Sequence, residues 1–368
     1  MAQFKRPDSP LASRHRDLGS NLEDWNGVGT AWSYNSDPCD EHDAYRERAT
    51  LTDVSGLKKV WVRGADAFAV VDYTCSRDLS KIGTDKCAYT LILTDEGTVT
   101  DDAIVYNLGD KGWLVVHGGG EAMEMLEKSA EGKNATVELD DSFNSISLQG
   151  PAALGVLNPM LDADIEPMGV FGQTTTTMLG HEVIISRTGF SGERGYEIYA
   201  SRENMPEIWD AVLEAGKDAG VIPASFASLD KVRLEFGLLF YPYDMNENTT
   251  PWEINLPWCV AKDKDFRGKE ACMAKKGQEN IKLVGLICSL GEAAPEGSKL
   301  FANGEEVGVI NCPGYSHRMN ASIALGHVKP GLDAPGTELE AKAEDGTTFT
   351  ATVTAMPMYD PQKKNMRD

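Results

Sequence analysis

The sequence predicts an α+β fold of antiparallel sheets with helices, followed by a C-terminal all-β barrel. Between Lys59 and Phe236, apolar residues alternate between the spacing of strands and the spacing of helices. After Lys276, short strand-like segments are separated by turn signals, a pattern typical of a small barrel or sandwich. These turn signals are Asn303-Gly304, Pro313-Gly314, Pro330-Gly331 and Asp345-Gly346.

Length and composition allow more than one domain. The chain has 368 residues, of which 41% are hydrophobic, and this is enough for a large core divided over two or three domains. We predict a first region over residues 1–279 and a C-terminal barrel over 280–368. Within the first region we expect two α+β subdomains, one formed by about 1–50 with 140–279 and the other by 51–139.

The charge and the cysteines exclude several classes of protein. A formal net charge of −22 disfavours nucleic acid as a partner, because an acidic surface repels phosphate. The seven cysteines are scattered and contain no CxxC, which indicates reduced thiols and neither disulfides nor a zinc site. We find no signal-peptide pattern and no apolar run of about 18 residues, so we expect a cytoplasmic protein without a membrane partner.

The individual elements follow from the same periodicities. Ser201 is predicted to cap the third of four helices, with Pro206 in its first turn. Asp101 and Asp102 are expected to enter the second strand of a hairpin that turns at Gly97. The predicted strands are 60–62, 89–93, 103–106, 113–116, 145–148, 183–186, 195–200 and 281–290, and the predicted helices are 65–73, 121–129, 201–215 and 226–236.

The pair Asp101-Asp102 is the first candidate site. Adjacent residues on a strand face opposite sides, so one carboxylate is expected to face solvent and the other the interior or a cleft. A partly buried carboxylate can have a raised pKa and serve in proton transfer or in the stabilisation of a cation. From these residues alone, a simple turn feature is the alternative.

Other motifs are absent or incomplete. The segment 117–120, His-Gly-Gly-Gly, follows a predicted strand and opens a helix, but it lacks the spacing of a nucleotide-binding loop. No His, Glu or Cys cluster has metal-ligand spacing, and the chain has no G-x-S-x-G element of a serine hydrolase. We therefore predict neither a nucleotide site nor a metal site.

Three ordered segments carry a resemblance to a known family. They read RTGFSGERGYE at 187–197, ASLDKVRLEFG at 227–237 and YDMNENTTP at 243–251. Together they resemble the aminomethyltransferase (T-protein) family of the glycine cleavage system, and the resemblance extends from about residue 9 to residue 359. It implies the folate-binding fold of that family and tetrahydrofolate as the acceptor of a one-carbon unit.

The resemblance also implies roles for individual residues. The segment 94–106 is similar to the family's catalytic segment and implies that Asp102 is catalytic, beside the reacting nitrogens of the folate. Glu197 would accept two N–H groups of the pterin ring; an exposed strand residue is the alternative. Tyr89 and Phe190 would pack against the folate rings, although the family usually has Tyr at the position of Phe190.

The remaining assignments concern Arg233 and the donor. Arg233 matches a folate-pocket position and its planar fork suits a carbonyl or carboxylate; an ion pair with Asp230 is the alternative. His117, which stands where the family has Asn, and Tyr241 are assigned to the donor substrate. The related family tied to iron–sulfur assembly is disfavoured, because its Cys-containing motif is missing around 264–271.

The donor end departs from the family pattern. The segment 53–59 reads DVSGLKK where the family usually has Asp-Val-Ser-His-Met, and 74–81 is closer to the folate-dependent demethylase of dimethylsulfoniopropionate. The resemblance therefore implies a one-carbon transferase whose donor is a small methylated amine or sulfonium compound. The alternatives are an aminomethyltransferase that acts on a lipoylated carrier protein and a folate-binding regulator without catalysis.

Overall fold

The structure is a computed structural model and describes residues 4–367. Its helices are α1 (Ala12–Asp17), α2 (Pro38–Glu47), α3 (Ala67–Thr74), α4 (Ala122–Ala130), α5 (Ala153–Leu157), α6 (Met205–Ala215), α7 (Phe226–Phe236), α8 (Lys269–Ala274) and α9 (Lys364–Arg367). Its first strands are β1 (Glu23–Trp25), β2 (Val28–Thr30), β3 (Ala49–Asp53), β4 (Lys58–Arg63), β5 (Cys87–Leu93), β6 (Val99–Asn107), β7 (Trp113–His117), β8 (Thr136–Leu139), β9 (Phe143–Gln149) and β10 (Gln173–Met178). The later strands are β11 (His181–Ser186), β12 (Gly195–Ser201), β13 (Val221–Pro223), β14 (Lys282–Cys288), β15 (Lys299–Ala302), β16 (Glu305–Ser316), β17 (Ala321–Val328), β18 (Glu338–Lys342) and β19 (Thr348–Thr354).

The strands form two open sheets, one closed barrel and a small hairpin. The six-stranded sheet has the order β10-β11-β12-β9-β3-β13, and the five-stranded sheet has the order β5-β6-β7-β4-β8. The barrel closes in the order β14-β17-β16-β15-β18-β19, while β1 and β2 pair separately. The predicted α+β class with a C-terminal barrel is thus confirmed. The domain limits near residue 279 stay a prediction.

Each sheet buries an apolar face against helices. Ile146 and Ile198 of the six-stranded sheet share a fully buried core with Trp209 of α6. Val60 and Val115 of the five-stranded sheet pack in a second core with Leu126 of α4. Because these faces alternate with a period of two residues, the opposite faces of the strands are free to build a site.

A buried ion network ties the first region to the barrel. The guanidinium of Arg46 in α2 contacts Glu235 of α7 at 2.6 Å and Glu193 at 2.8 Å. Glu235 also accepts a hydrogen bond from Ser316 at the end of β16, and its pKa is lowered to about 2 by His42, Arg46 and Ser316 despite burial. Removal of one partner would leave a buried charge uncompensated, so this network fixes α7, whose C-terminal end leads into the site.

Most predicted elements have counterparts, with two corrections. Asp101 and Asp102 lie inside β6, because β6 begins at Val99 immediately after the Gly97 turn. Ser201 is not the cap of α6; it is the last residue of β12, and the chain turns through 202–204 before α6 begins at Met205. The early helix α2, which the polar N-terminal segment did not indicate, begins after a cap by Asp37.

The structure bears on membrane association but not on the other predictions of location and partners. Within residues 4–367, no helix combines the length and apolar character that a membrane crossing requires. The cytoplasmic location and the absence of a nucleic-acid partner stay predictions.

Gly97 provides a test of the packing between the β5–β6 turn and α8. Its φ is +74°, and an added Cβ would lie 2.2 Å from the backbone nitrogen of Cys272. Gly132 has a similar φ of +71° with nothing within 4 Å of that Cβ, so it serves as the matched control. We expect Gly132→Ala to lose about 1 kcal/mol of unfolding free energy and Gly97→Ala to lose about 1–3 kcal/mol more, measured by urea denaturation. Equal losses in the two variants would contradict the close approach.

Candidate active site

One cavity of about 420 Å³ lies where the two open sheets meet the segment that follows α7. Strands β5, β6 and β7 contribute from one sheet and β9 and β12 from the other. The residues after α7 and the C-terminal residues Lys363 and Met366 complete the wall. Among the residues predicted for the site, the cavity brings together Tyr89, Asp102, His117, Phe190, Glu197 and Tyr241.

Strand pairing places Asp102 beside Tyr89. Tyr89 of β5 pairs with Ile104 of β6, so Asp102, two residues before Ile104, is its diagonal neighbour on the same face. Burial and the adjacent Asp101 raise the pKa of Asp102 to about 7, and they outweigh the opposing effect of the Tyr89 hydroxyl. Asp102 is half-buried because one side faces the cavity. A carboxyl group that titrates near neutrality can either hold a proton or carry a negative charge at the reacting centre.

Asp101 faces the other side of β6 and is fully buried. Its Oδ2 lies 2.7 Å from Nδ1 of His117 and accepts a hydrogen bond from the backbone N–H of Ala122. Its Oδ1 accepts the backbone N–H of Asp102 at 2.9 Å. His117 ends β7 and lines the cavity. The prediction that one carboxylate of the pair faces solvent therefore does not hold: one faces the cavity and the other the histidine.

Glu197 of β12 is a buried carboxylate in the cavity wall. Its Oε2 accepts hydrogen bonds from Thr188 at 2.7 Å and from Tyr199 at 2.8 Å, and Tyr106 of the other sheet lies at 3.5 Å. Among residues 4–367, every hydrogen bond to this carboxylate reaches Oε2. Oε1 is therefore left for a ligand, and the network fixes the orientation of the carboxylate.

Aromatic side chains form a large part of the wall. Phe240 lies 6.3 Å from Phe190 and 5.9 Å from Phe226 between ring centroids, and all three line the cavity. Tyr241 follows Phe240 and also lines the cavity; burial raises the pKa of its hydroxyl, which therefore keeps its proton. Flat apolar rings of this kind suit a planar heteroaromatic ligand.

Arg233 lies outside the residues that line the cavity. Its guanidinium donates to Asp230 at 2.7 Å and to Asp244, and also to the carbonyl oxygen of Leu238 at 3.1 Å. These carboxylates raise its pKa above the usual range. The structure thus shows the ion pair with Asp230 that was the alternative, and Arg233 holds the segment that carries Phe240, whose backbone N–H donates to the same Asp244.

Sequence reasoning missed Trp25 and Trp258. Trp25 lines the cavity because Gly56 leaves room for it: a Cβ on Gly56 would lie 2.3 Å from the indole. Gly56 lies in the segment 53–59, which departs from the family pattern. This departure is the feature of the sequence that could have indicated a change in the cavity wall. Trp258 stands at the cavity with its ring 5.8 Å from that of Tyr89. Arg77 of the segment 74–81 lies 5.5 Å from the Trp258 ring, so this segment supports the wall without lining it.

Comparisons with known proteins identify the family of this chain. The GCVT N-terminal domain model matches residues 11–264, and the glycine cleavage T-protein C-terminal barrel domain model matches residues 282–360. The chain is 42% identical over 366 residues to the heme-dependent oxidative N-demethylase gamma subunit of Ectopseudomonas mendocina, covering 97% of this chain and 96% of that protein. It is 31% identical to an aminomethyltransferase of Streptomyces avermitilis, covering 96% and 97%.

A solved structure shows the same architecture. The glycine cleavage system aminomethyltransferase T from Bartonella henselae superposes with a TM-score of 0.88 at 25% identity, covering 96% of this chain and 98% of that one. The fold and the family models together define a transferase-type enzyme. The chain belongs to the glycine cleavage T-protein family, which uses tetrahydrofolate and includes aminomethyltransferases and an N-demethylase subunit.

The residues present fit tetrahydrofolate. A pterin offers coplanar N–H donors, and Glu197 presents a buried carboxylate whose Oε1 makes no hydrogen bond within residues 4–367. Phe190 and Phe240 supply rings for the flat part of the molecule, and Asp102 supplies an ionisable group in the same cavity.

The first prediction for the site concerns Glu197. Glu197→Ala is expected to weaken tetrahydrofolate binding by roughly 1.5–3 kcal/mol, because charge-assisted hydrogen bonds to the ring are lost. Isothermal titration measures this, and Glu182→Ala on the exposed part of β11 is the control. Unchanged affinity in Glu197→Ala would remove Glu197 from the ligand site.

The second prediction follows from the raised pKa of Asp102. Asp102 has a pKa of about 7 in the folded protein and an ordinary value of 3.8, so protonation of this carboxyl stabilises the folded state. This stabilisation is fully present below pH 4 and is lost as the pH rises through 7. The Asp102→Asn variant lacks the carboxyl and does not lose stability in this way. The difference in melting temperature, variant minus wild type, is therefore expected to increase by about 2–4 °C from pH 5 to pH 8. Asp110→Asn, on an exposed turn, should show no such trend. A difference that is constant with pH would show that Asp102 is not protonated near neutrality.

Proposed function

We propose that this protein is a tetrahydrofolate-dependent one-carbon transferase that takes a carbon from a small methylated donor. The observation that carries the proposal is the meeting of two carboxyl groups, the half-buried Asp102 and the buried Glu197, in one aromatic-lined cavity although they come from different sheets. One carboxylate is fixed by neighbouring hydroxyls and suits recognition. The other titrates near neutrality and suits chemistry.

In this proposal the two carboxyl groups have separate tasks. Tetrahydrofolate, when bound, supplies the reduced nitrogens that accept the carbon. Glu197 would hold the pterin edge through Oε1, and Phe190 and Phe240 would pack against the flat rings. Asp102, when ionised, would stabilise positive charge on the donor side, and when protonated it would return a proton to the leaving group.

The apolar wall would protect the transfer. Most of the cavity surface comes from aromatic and aliphatic side chains such as Trp25, Leu57 and Phe236. Such a wall excludes water, which would otherwise hydrolyse a reactive one-carbon unit, and it strengthens the interaction of Asp102 with a cation because the local dielectric is low.

A small methylated amine or sulfonium donor is supported by two lines of evidence. The relative that is 42% identical over 97% of this chain carries the name of an N-demethylase subunit. Two of the positions that depart from the aminomethyltransferase pattern, His117 and Gly56, lie in or beside the cavity, and Gly56 leaves room there for Trp25. A changed wall at the donor end supports a changed donor.

Two other functions remain as candidates. An aminomethyltransferase that acts on a lipoylated carrier protein is supported by the names of the relatives that are 31–32% identical. A folate-binding regulator without catalysis would need neither Asp102 nor a donor. The net charge of −22 favours a small donor over an acidic carrier protein.

The products formed from matched donors separate these functions. The purified protein is incubated with tetrahydrofolate and one donor, and the folate product is identified by mass. The donors are sarcosine, dimethylglycine, glycine betaine, dimethylsulfoniopropionate and an aminomethyl-loaded lipoyl carrier; in a second arm, each amine is supplied with a separate amine-oxidising enzyme. We expect a one-carbon folate from a small donor, as 5-methyltetrahydrofolate without oxidation or as 5,10-methylenetetrahydrofolate after it.

The control variant in this experiment is Asp102→Asn. It keeps the size of the side chain but cannot ionise, so we expect a loss of at least about 100-fold in rate, on the scale of general acid–base catalysis. Product from the carrier alone would identify the carrier-linked enzyme. Folate binding without any product, equal in wild type and Asp102→Asn, would identify the regulator.

A further inference from the structure

The segment from His117 to Gly120 packs against Asp101. Neither a nucleotide site nor the binding of folate explains this arrangement. A Cβ on Gly120 would lie 2.1 Å from the carbonyl oxygen of Thr100 and 2.6 Å from Cγ of Asp101. Only glycine therefore allows the chain to close over Asp101 at this point. The following residues begin α4, where the backbone N–H of Ala122 donates to Oδ2 of Asp101.

This closure fixes the hydrogen-bonding state of the histidine ring. The Asp101 carboxylate is an acceptor, and its Oδ2 lies 2.7 Å from Nδ1 of His117. The shared hydrogen is therefore carried by Nδ1, and a neutral His117 has its lone pair on Nε2. Asp101 thus positions the ring and sets its tautomer.

Nε2 of His117 is one of the buried polar side-chain atoms that have no hydrogen-bond partner among the described residues. His117 is 1% exposed, and within the part of the chain that the structure describes, Nε2 makes no hydrogen bond. The same residue lines the cavity. A buried polar atom without a partner is costly, and at a cavity wall a ligand that donates a hydrogen bond accounts for it.

We infer that Nε2 of His117 accepts a hydrogen bond from an N–H group of the one-carbon donor, so that the Asp101–His117 pair selects donors that carry N–H. Protonated secondary and tertiary amines and aminomethyl compounds have such a group, whereas sulfonium and quaternary ammonium compounds have none. This inference rests on the proposed function, and it narrows the donor class to amines with N–H.

Two probes of equal charge and similar shape isolate the hydrogen bond. Trimethylammonium and trimethylsulfonium both carry three methyl groups and one positive charge, but only the first has a hydrogen on its central atom. Attraction to Asp101 and Asp102 is common to both, so it cancels in the comparison. Binding is measured by NMR titration of the methyl resonances, with the folate site filled by 5-formyltetrahydrofolate, whose blocked nitrogen prevents transfer.

Wild-type protein is expected to bind trimethylammonium at least about tenfold more tightly than trimethylsulfonium. His117→Phe, which has no acceptor, should lose this preference, and His117→Gln, whose amide oxygen can accept, should retain part of it. Asp101→Asn should also lose the preference, because an amide can donate to Nδ1 and move the ring hydrogen to Nε2. Glu121→Gln is the matched control, since this exposed carboxylate contacts Thr100 and not His117.

The affinity for 5-formyltetrahydrofolate, measured in the same samples, separates this inference from the proposed function. We expect it to change by less than about twofold in the His117 variants. Equal binding of the two probes to wild type, binding of neither probe, or a preference that survives in His117→Phe would each overturn the inference while folate binding persists. A large loss of folate affinity in His117→Phe would make His117 a folate contact and would overturn it as well. Failure of wild type to bind folate would contradict the proposed function instead.

Discussion

The site depends on the pleat of one strand. In β6, Asp101 and Asp102 must face opposite sides: Asp101 is buried, and Asp102 is half-buried at the cavity. Asp101 is satisfied by His117 and by two backbone N–H groups. Asp102 faces the cavity near Tyr89, and the adjacent Asp101 adds to the cost of ionising it. Burial and, after it, the charge of the paired Asp101 therefore raise the pKa of Asp102.

The second half of the site depends on contact between the two open sheets. Tyr106 belongs to β6 and Tyr199 to β12, and their hydroxyl groups lie 3.0 Å apart. Both hydroxyls lie within reach of Glu197, so the contact that joins the sheets also orients this carboxylate. The cavity and the interface between the sheets consequently share the residues Tyr199 and Glu197.

Local patterns in the sequence predicted the secondary-structure elements well and the residues that line the cavity poorly. The β5–β6 hairpin, α7 and the barrel follow from periodicity and turn residues, which are local properties. Trp25 could not be placed, because its position depends on the space that Gly56 leaves about thirty residues later in the chain. Arg233 was assigned by resemblance to the folate pocket, yet its contacts with Asp230 and Asp244 turn it away from the cavity wall.

The most direct test of the central claim is a crystal structure of the protein with 5-formyltetrahydrofolate. The account predicts the pterin ring in the cavity, with its N–H edge at Oε1 of Glu197 and its reacting nitrogens on the side of Asp102. Density for the ligand outside this cavity, or a ring inside it that leaves both carboxyl groups without contact, would contradict the account.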